Sequence, residues 1–272
     1  MVSYKRFLHP LHNLIKSQQA KVLQLHCITL FPEQLNHFLL KGLIKRAYEN
    51  KRFLFNTVDL REFGKGGHKK VDHYPFSHKM GMLLRADVVF DAVTSIEDYK
   101  NMRIIYTCPK GKVLNQQLSK ALFKSNKDII LISGYYEGID ERIFDVLPIE
   151  RVSIGDYIVN SGDCASAVIA ESLIRQCEGV LGNPDCIEDD THFNELLESP
   201  QFTQPVRFLD QSVPEILRSG NHNAIKTYKL QEALKNTVFN RPDLMGKKHV
   251  NNEEKKCLTR IIKEMAVKKS DT

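Results

Sequence analysis

Between residues 22 and 180, short apolar runs alternate with stretches whose apolar residues recur at helical spacing, a pattern that restricts the chain to an α/β fold with a mostly parallel sheet. Residues 22–30 are aliphatic and β-branched and stop at Pro32, after which Leu35, Phe38, Leu39 and Leu43 follow a helical period. Residues 53–60 read as a second strand. Residues 61–81, rich in Gly, His and Lys and without period, read as a long loop, and long loops in compact domains tend to carry function. Ala86, Val89, Phe90 and Val93 mark another helix. Residues 103–107 and 129–132 read as buried strands flanking a helix near Leu118, Ala121 and Leu122. Residues 154–159 could add one more strand, before a helix over 165–174 closed by Gly179.

The rest of the chain differs. LGNPDCIEDDTH, residues 181–192, mixes Gly, Pro and acid without period and marks a linker. Beyond it the pattern is purely helical. Leu230, Leu234 and Val238 stand at fourfold spacing in a helix that begins near Asn223 and ends before Arg241-Pro242. Asn252 caps a last helix with Glu253 and Glu254 in its first turn and Leu258, Ile261, Ile262 and Met265 along its apolar stripe. The expected division is an N-terminal extension over 1–20, an α/β domain over 21–181, an interdomain linker over 182–194 and a small all-helical domain over 195–272.

At 272 residues the chain can bury a core without covalent staples, and 42% apolar with 26% charged residues excludes wholesale disorder and fibrous classes. No apolar run approaches the ~18 residues of a membrane-spanning helix, and the mean hydropathy of −0.33 agrees with a soluble protein. The six cysteines form no CxxC pair, read as free thiols of a reducing compartment, and with the histidines offer no zinc-ligand spacing. A net charge of +6 fits a partner of polyanions without requiring one. Glu33 is the first acidic residue. The acid-poor stretch before it, with Lys5, Arg6, Lys16 and Lys21, is expected to be a disordered extension of a cytoplasmic protein, an organellar transit peptide being the alternative.

Three stretches place Gly and polar residues directly after apolar runs: Thr107-Cys108-Pro109-Lys110-Gly111, then 133–142 (SGYYEGIDER), then Ser153-Ile154-Gly155-Asp156-Tyr157 with Ser161-Gly162 beyond. In α/β sheets ligands sit at the carboxyl ends of strands, and glycine lets backbone approach closely. Three such loops imply one pocket. Neither GxGxxG nor GxxxxGK[ST] occurs, so dinucleotide and P-loop fingerprints are unsupported.

GYYEGIDERI (134–143), SIGDYIV (153–159), GVLGN (179–183), SGNHNAI (219–225), the early TLFPE (29–33) and RPDLM (241–245) stand in an order and spacing that closely resemble the bacterial tRNA (guanine-N1)-methyltransferases. The resemblance runs from about residue 22 to 245. It implies a trefoil-knotted methyltransferase domain of the SPOUT class that grips S-adenosylmethionine, followed by a helical domain that holds tRNA. It also implies a homodimer, in which the target base enters between the cofactor pocket of one subunit and the C-terminal domain of the other. The implied reaction is methylation of N1 of the tRNA guanosine immediately 3′ of the anticodon, a modification that supports reading-frame maintenance. A Mg2+ requirement comes with the resemblance alone.

Carried over by position, the cofactor contacts are Tyr106, Thr107, Pro109, Gly134, Glu137, Ile154, Gly155, Asp156, Tyr157, Ile158, Val159 and Gly162. Arg175 matches the functional arginine of the helix before GVLG, and Asp190 the general base that follows the linker. Lys65, His68, Lys69, Lys70, Lys226, Lys229 and Arg241 are candidate phosphate contacts, which position RNA without reading it. The chemistry justifies the acid and the arginine independently. N1 of guanine is poorly nucleophilic until its proton leaves, and a carboxylate can accept it. Charge then gathers on O6, where a guanidinium stabilises the transition state more than the ground state.

Three departures from the resembled pattern stand out. Ser77-His78-Lys79-Met80-Gly81-Met82 replaces GGGPGM, Tyr135 stands where an arginine usually precedes YEGIDER, and Asn160-Ser161-Gly162-Asp163-Cys164-Ala165 replaces SGGELP. They bear on substrate fit and cofactor affinity. The alternatives are a catalytically weak or inactive tRNA-binding relative and a knotted methyltransferase acting on another RNA, and turnover separates the first from an enzyme.

Overall fold

The computed structural model describes residues 22–76, 80–181, 195–246 and 248–270. The expected extension over 1–20, the linker over 182–194 with Asp190, and Ser77, His78 and Lys79 of the altered loop lie outside the described residues. The chain divides into two compact units, Met1–Gly182 and Asn183–Thr272.

The first unit runs β1 (Gln24–Thr29), α1 (Pro32–Leu39), α2 (Gly42–Glu49), β2 (Leu54–Asp59), β3 (Asp72–His73), β4 (Leu83–Leu84), α3 (Ala86–Thr94), β5 (Arg103–Val113), α4 (Gln116–Lys124), β6 (Ile129–Ile132), α5 (Ile143–Val146), β7 (Ile149–Ser153) and α6 (Gly162–Ile174). Five of these strands form one sheet in the order β2-β1-β6-β5-β7, parallel throughout. Strand β6 is buried along its whole length. Its pleat sends Ile129 and Leu131 into one core, with Leu35 and Leu39 of α1, Leu122 of α4 and Leu173 of α6, and sends Ile130 and Ile132 into the other, with Val88, Val89 and Val93 of α3 and Ile143 of α5. A strand sealed on both faces must be apolar at every position, which is why 129–132 shows no alternation.

The sheet departs from the sequence reading at its edge. The last strand is Ile149–Ser153, and 154–159 is an irregular loop. As the outer strand, β7 carries Glu150, whose carboxylate receives both Nε (2.8 Å) and a terminal nitrogen (2.6 Å) of Arg103 on β5. Such residues hide an edge strand from an apolar-run criterion. Strand β5 continues to Val113, beyond the expected 107, past a register shift between Thr107 and Lys112. Helix α6 ends on Arg175 in right-handed conformation, so Gly179 (φ +77°) shapes a later turn and is not its cap. The expected loop over 61–81 opens on a single-turn 3-10 helix, Leu60–Phe63, and includes β3, which pairs with β4 just beyond it.

The second unit is built on α7 (His222–Asn240), α8 (Pro242–Met245) and α9 (Asn252–Ser270). Its core is small, with Leu234 and Ile261 buried beside Leu196 and Cys257. Asn221 caps α7 by accepting from the Ala224 amide at 3.1 Å. The cap of α9 is Asn251 rather than Asn252: its Oδ1 accepts from the Glu254 amide, and Glu254 Oε2 accepts from the Asn251 amide, each at 2.9 Å. The unit is not all-helical, because β8 (Arg207–Phe208) and β9 (Gln211–Ser212) form a hairpin. No helix among the described residues is long and apolar enough to cross a membrane.

Candidate active site

From β6 the chain returns over β5 to reach β7, and at that reversal the irregular middle of β5 and the segments after β6 and β7 converge on one cavity of about 350 Å³. Of the residues expected to hold cofactor, Tyr106, Thr107, Pro109, Gly134, Glu137, Ile154, Gly155, Tyr157, Ile158, Val159 and Gly162 line it. Asp156 is exposed and does not. Arg175 lies in the same unit at the end of α6, exposed and away from the lining, and Asp190 is outside the described residues.

Two backbone amides hold the three segments together. The Gly162 amide donates to the Gly134 carbonyl at 2.8 Å, and the Gly134 amide donates to Thr107 Oγ1 at 3.1 Å. A Cβ on Gly162 would lie 2.2 Å from the Gly134 nitrogen and 2.8 Å from Thr107 Oγ1, so only glycine permits this approach. Ser161 then caps α6 by accepting from the Asp163 amide at 3.0 Å. On the opposite side the Glu137 amide donates to the Met82 carbonyl at 2.9 Å, which ties the end of the altered 77–82 loop to the cavity wall.

One wall is charged with both signs. Arg151 lies 3.7 Å over the Phe144 ring and pairs with Glu141, which Lys110 also approaches at 3.5 Å. Phe144 in turn packs against Tyr106. Burial, with Cys108 nearby, pushes the Tyr106 phenol well above its usual value. Burial and a hydrogen bond to Asp163 do the same to Tyr135, so both rings remain neutral donors across the working pH range. Among the described residues no group of three or more His, Cys, Asp or Glu side chains is arranged to hold a metal ion.

Sequence reasoning missed the Arg151–Glu141–Phe144 wall and the contact between Tyr135 and Asp163. Arg151 sits on β7, just before the 154–159 run at which the apolar pattern places a strand. Tyr135 and Asp163 stood out only as departures, with nothing to connect positions 28 apart.

A model of the family described as tRNA (Guanine-1)-methyltransferase TrmD matches residues 23–247. The chain is 38% identical over 231 residues to a tRNA (guanine-N(1)-)-methyltransferase of Caldanaerobacter subterraneus, covering 85% of this chain and 95% of that one. It is 40% identical over 222 residues to that of Ruminiclostridium cellulolyticum, covering 81% and 95%, and 36% identical over 241 residues to that of Staphylococcus carnosus, covering 89% and 98%. With the cavity formed by the segments that carry its motifs, and a family match that leaves out only the two ends of the sequence, the chain belongs to the tRNA (guanine-1)-methyltransferase family.

Proposed function

We propose that the protein transfers the methyl group of S-adenosylmethionine to N1 of the tRNA guanosine immediately 3′ of the anticodon. The observation that carries this reading is the cavity shared by the middle of β5 and the segments after β6 and β7, in a chain of a tRNA methyltransferase family. The residues present fit the cofactor. A cavity of about 350 Å³ suits a small ligand, the approach of Gly134 and Gly162 keeps side chains out of it, and Lys110, Arg151, Glu137 and Glu141 supply both signs of charge for a zwitterionic end. When bound, the cofactor supplies an electrophilic methyl on sulfur. Tyr106, Thr107, Pro109, Gly134, Glu137, Gly162 and the 154–159 loop hold and orient it, largely through backbone groups that suit adenine and ribose.

On the substrate side Asp190 accepts the N1 proton and Arg175 stabilises the charge that develops on O6. The exposure of Arg175 supports a role toward substrate over one in the core. The same reading makes Met1–Gly182 a knotted cofactor unit and Asn183–Thr272 the unit that holds tRNA, in a cytoplasmic homodimer whose active site lies at the subunit interface. Lys226 and Lys229, exposed on α7, suit phosphate contact, as do Lys69 and Lys70. Lys65 is instead engaged by Asp91.

The test is methyl transfer from labelled S-adenosylmethionine to an unmodified tRNA transcript with guanosine 3′ of its anticodon. A transcript with adenosine there and an Asp190→Ala protein run beside it. Incorporation into the guanosine transcript alone, abolished by the substitution, is expected. Binding of tRNA without incorporation would overturn the enzyme reading in favour of a tRNA-binding relative.

A further inference from the structure

Asp163 occupies the first turn of α6 and is only 8% exposed, yet among the described residues it forms no ion pair. Its Oδ1 accepts from Thr29 Oγ1 at 2.7 Å, at the end of β1, and its Oδ2 accepts from the Tyr135 hydroxyl, in the loop after β6. Ser161 Oγ donates to the Tyr135 oxygen at 3.1 Å, and Thr29 Oγ1 accepts from the Phe31 amide at 2.9 Å. The Tyr135 ring is gripped in turn by Phe31, at 5.5 Å between centroids, and lines the cavity. A buried carboxyl is costly unless hydrogen-bonded, and this one obtains its partners from two separate chain segments, the end of β1 and the loop after β6. Two of the three departures noted in the sequence, at 135 and at 163, are thus in direct contact.

We propose that Tyr135 and Asp163 act as one positioning pair, a phenol–carboxyl hydrogen bond that fixes the loop after β6 against the start of α6 and thereby sets the affinity of the cavity for cofactor. Neither is a catalytic residue. The pair acts through Gly134 and Gly162, its immediate neighbours in the chain, which meet in the cavity wall through the hydrogen bond from the Gly162 amide to the Gly134 carbonyl. The resembled pattern carries an arginine and a glutamate at these two positions, and the contact of Tyr135 with Asp163 here makes the two departures a single coupled exchange. The inference rests on the cavity being the cofactor site.

The experiment is calorimetric titration of S-adenosylhomocysteine, the demethylated cofactor, into the full-length wild type, Tyr135→Phe, Asp163→Ala and the double variant. Methyl-transfer kinetics and melting temperatures are recorded beside it. Tyr135→Phe is expected to weaken binding about tenfold, to raise KM for S-adenosylmethionine while leaving kcat at saturating cofactor nearly unchanged, and to melt close to wild type. The double variant should bind no more weakly than Asp163→Ala alone, because both changes break the same bond. Tyr135→Arg with Asp163→Glu should bind more tightly than Tyr135→Phe with Asp163→Ala. If Asp163→Ala does not fold, Tyr135→Phe and the Arg/Glu variant carry the test. Variants that melt lower but bind cofactor like wild type would overturn the positioning role and leave the cofactor site standing. A wild type that binds no cofactor would overturn both.

Discussion

A hydrogen bond of 2.8 Å joins the Gly162 amide to the Gly134 carbonyl, and a Cβ on Gly162 would fall 2.2 Å from the Gly134 nitrogen, while one on Gly134 would fall 2.9 Å from the Thr107 carbonyl oxygen. Gly162→Ala places a methyl against backbone atoms that have no rotamer to yield. The expected result is a loss of ~1–3 kcal/mol in stability, with S-adenosylhomocysteine binding undetectable by calorimetry while far-ultraviolet circular dichroism stays near wild type. Binding that survives unchanged would show that the approach is incidental to the cavity.

Gly81 holds a left-handed φ of +106°, and a Cβ there would fall 2.5 Å from Glu137 Cγ. Gly81→Ala therefore combines backbone strain of ~1–3 kcal/mol with displacement of a lining carboxylate. Methyl transfer should fall about tenfold or more, while tRNA is still retained by the protein in a filter assay. Wild-type turnover would mean that Glu137 has no part in holding the ligand.

Leu234 is fully buried in the small core of the second unit. Leu234→Ala is expected to cost ~2–5 kcal/mol, which a core of that size cannot absorb. Loss of tRNA binding with cofactor binding retained by titration would assign RNA holding to Asn183–Thr272. Loss of both would tie the cavity to the integrity of the second unit.

His26 on β1 carries a lowered pKa because burial disfavours its charged form, an effect that the neighbouring Asp128 opposes in part. The unfolded chain then binds the proton more readily than the folded one, so stability is present above the ordinary imidazole value of 6.5 and is lost as pH falls below it. Urea midpoints should decline from about pH 7 to about pH 5 more steeply for wild type than for His26→Gln. Parallel declines would assign the acid sensitivity to other groups.

How far the sequence was readable depended on how local each determinant is. Strand β6 was evident because four successive apolar residues admit little else between two polar loops, and α7 because Leu230, Leu234 and Val238 repeat on one face. The three loops around the cavity announced themselves through glycine. Strand β7 did not, since Glu150 and Arg151 break its apolar run and find their ion-pair partners, Arg103 and Glu141, on other segments. The β8–β9 hairpin escaped because two-residue strands carry no period. Asn251 and Asn252 are adjacent and chemically identical, and only the reciprocal bond to Glu254 selects the cap. The contact of Tyr135 with Asp163 depends on the folded path alone.

The strand order also has a consequence for how the protein is made. Strand β1 lies between β2, its near neighbour in sequence, and β6, and the Gln24 amide finds its acceptor on Asp128, 104 positions further along. On a ribosome adding about 5–20 residues per second, one flank of β1 therefore waits on the order of 5–20 seconds after emerging before its lasting partner exists. Through that interval the apolar edge of β1 is open to other chains, so yield should depend on translation speed and chaperone supply more than the finished molecule's burial would suggest.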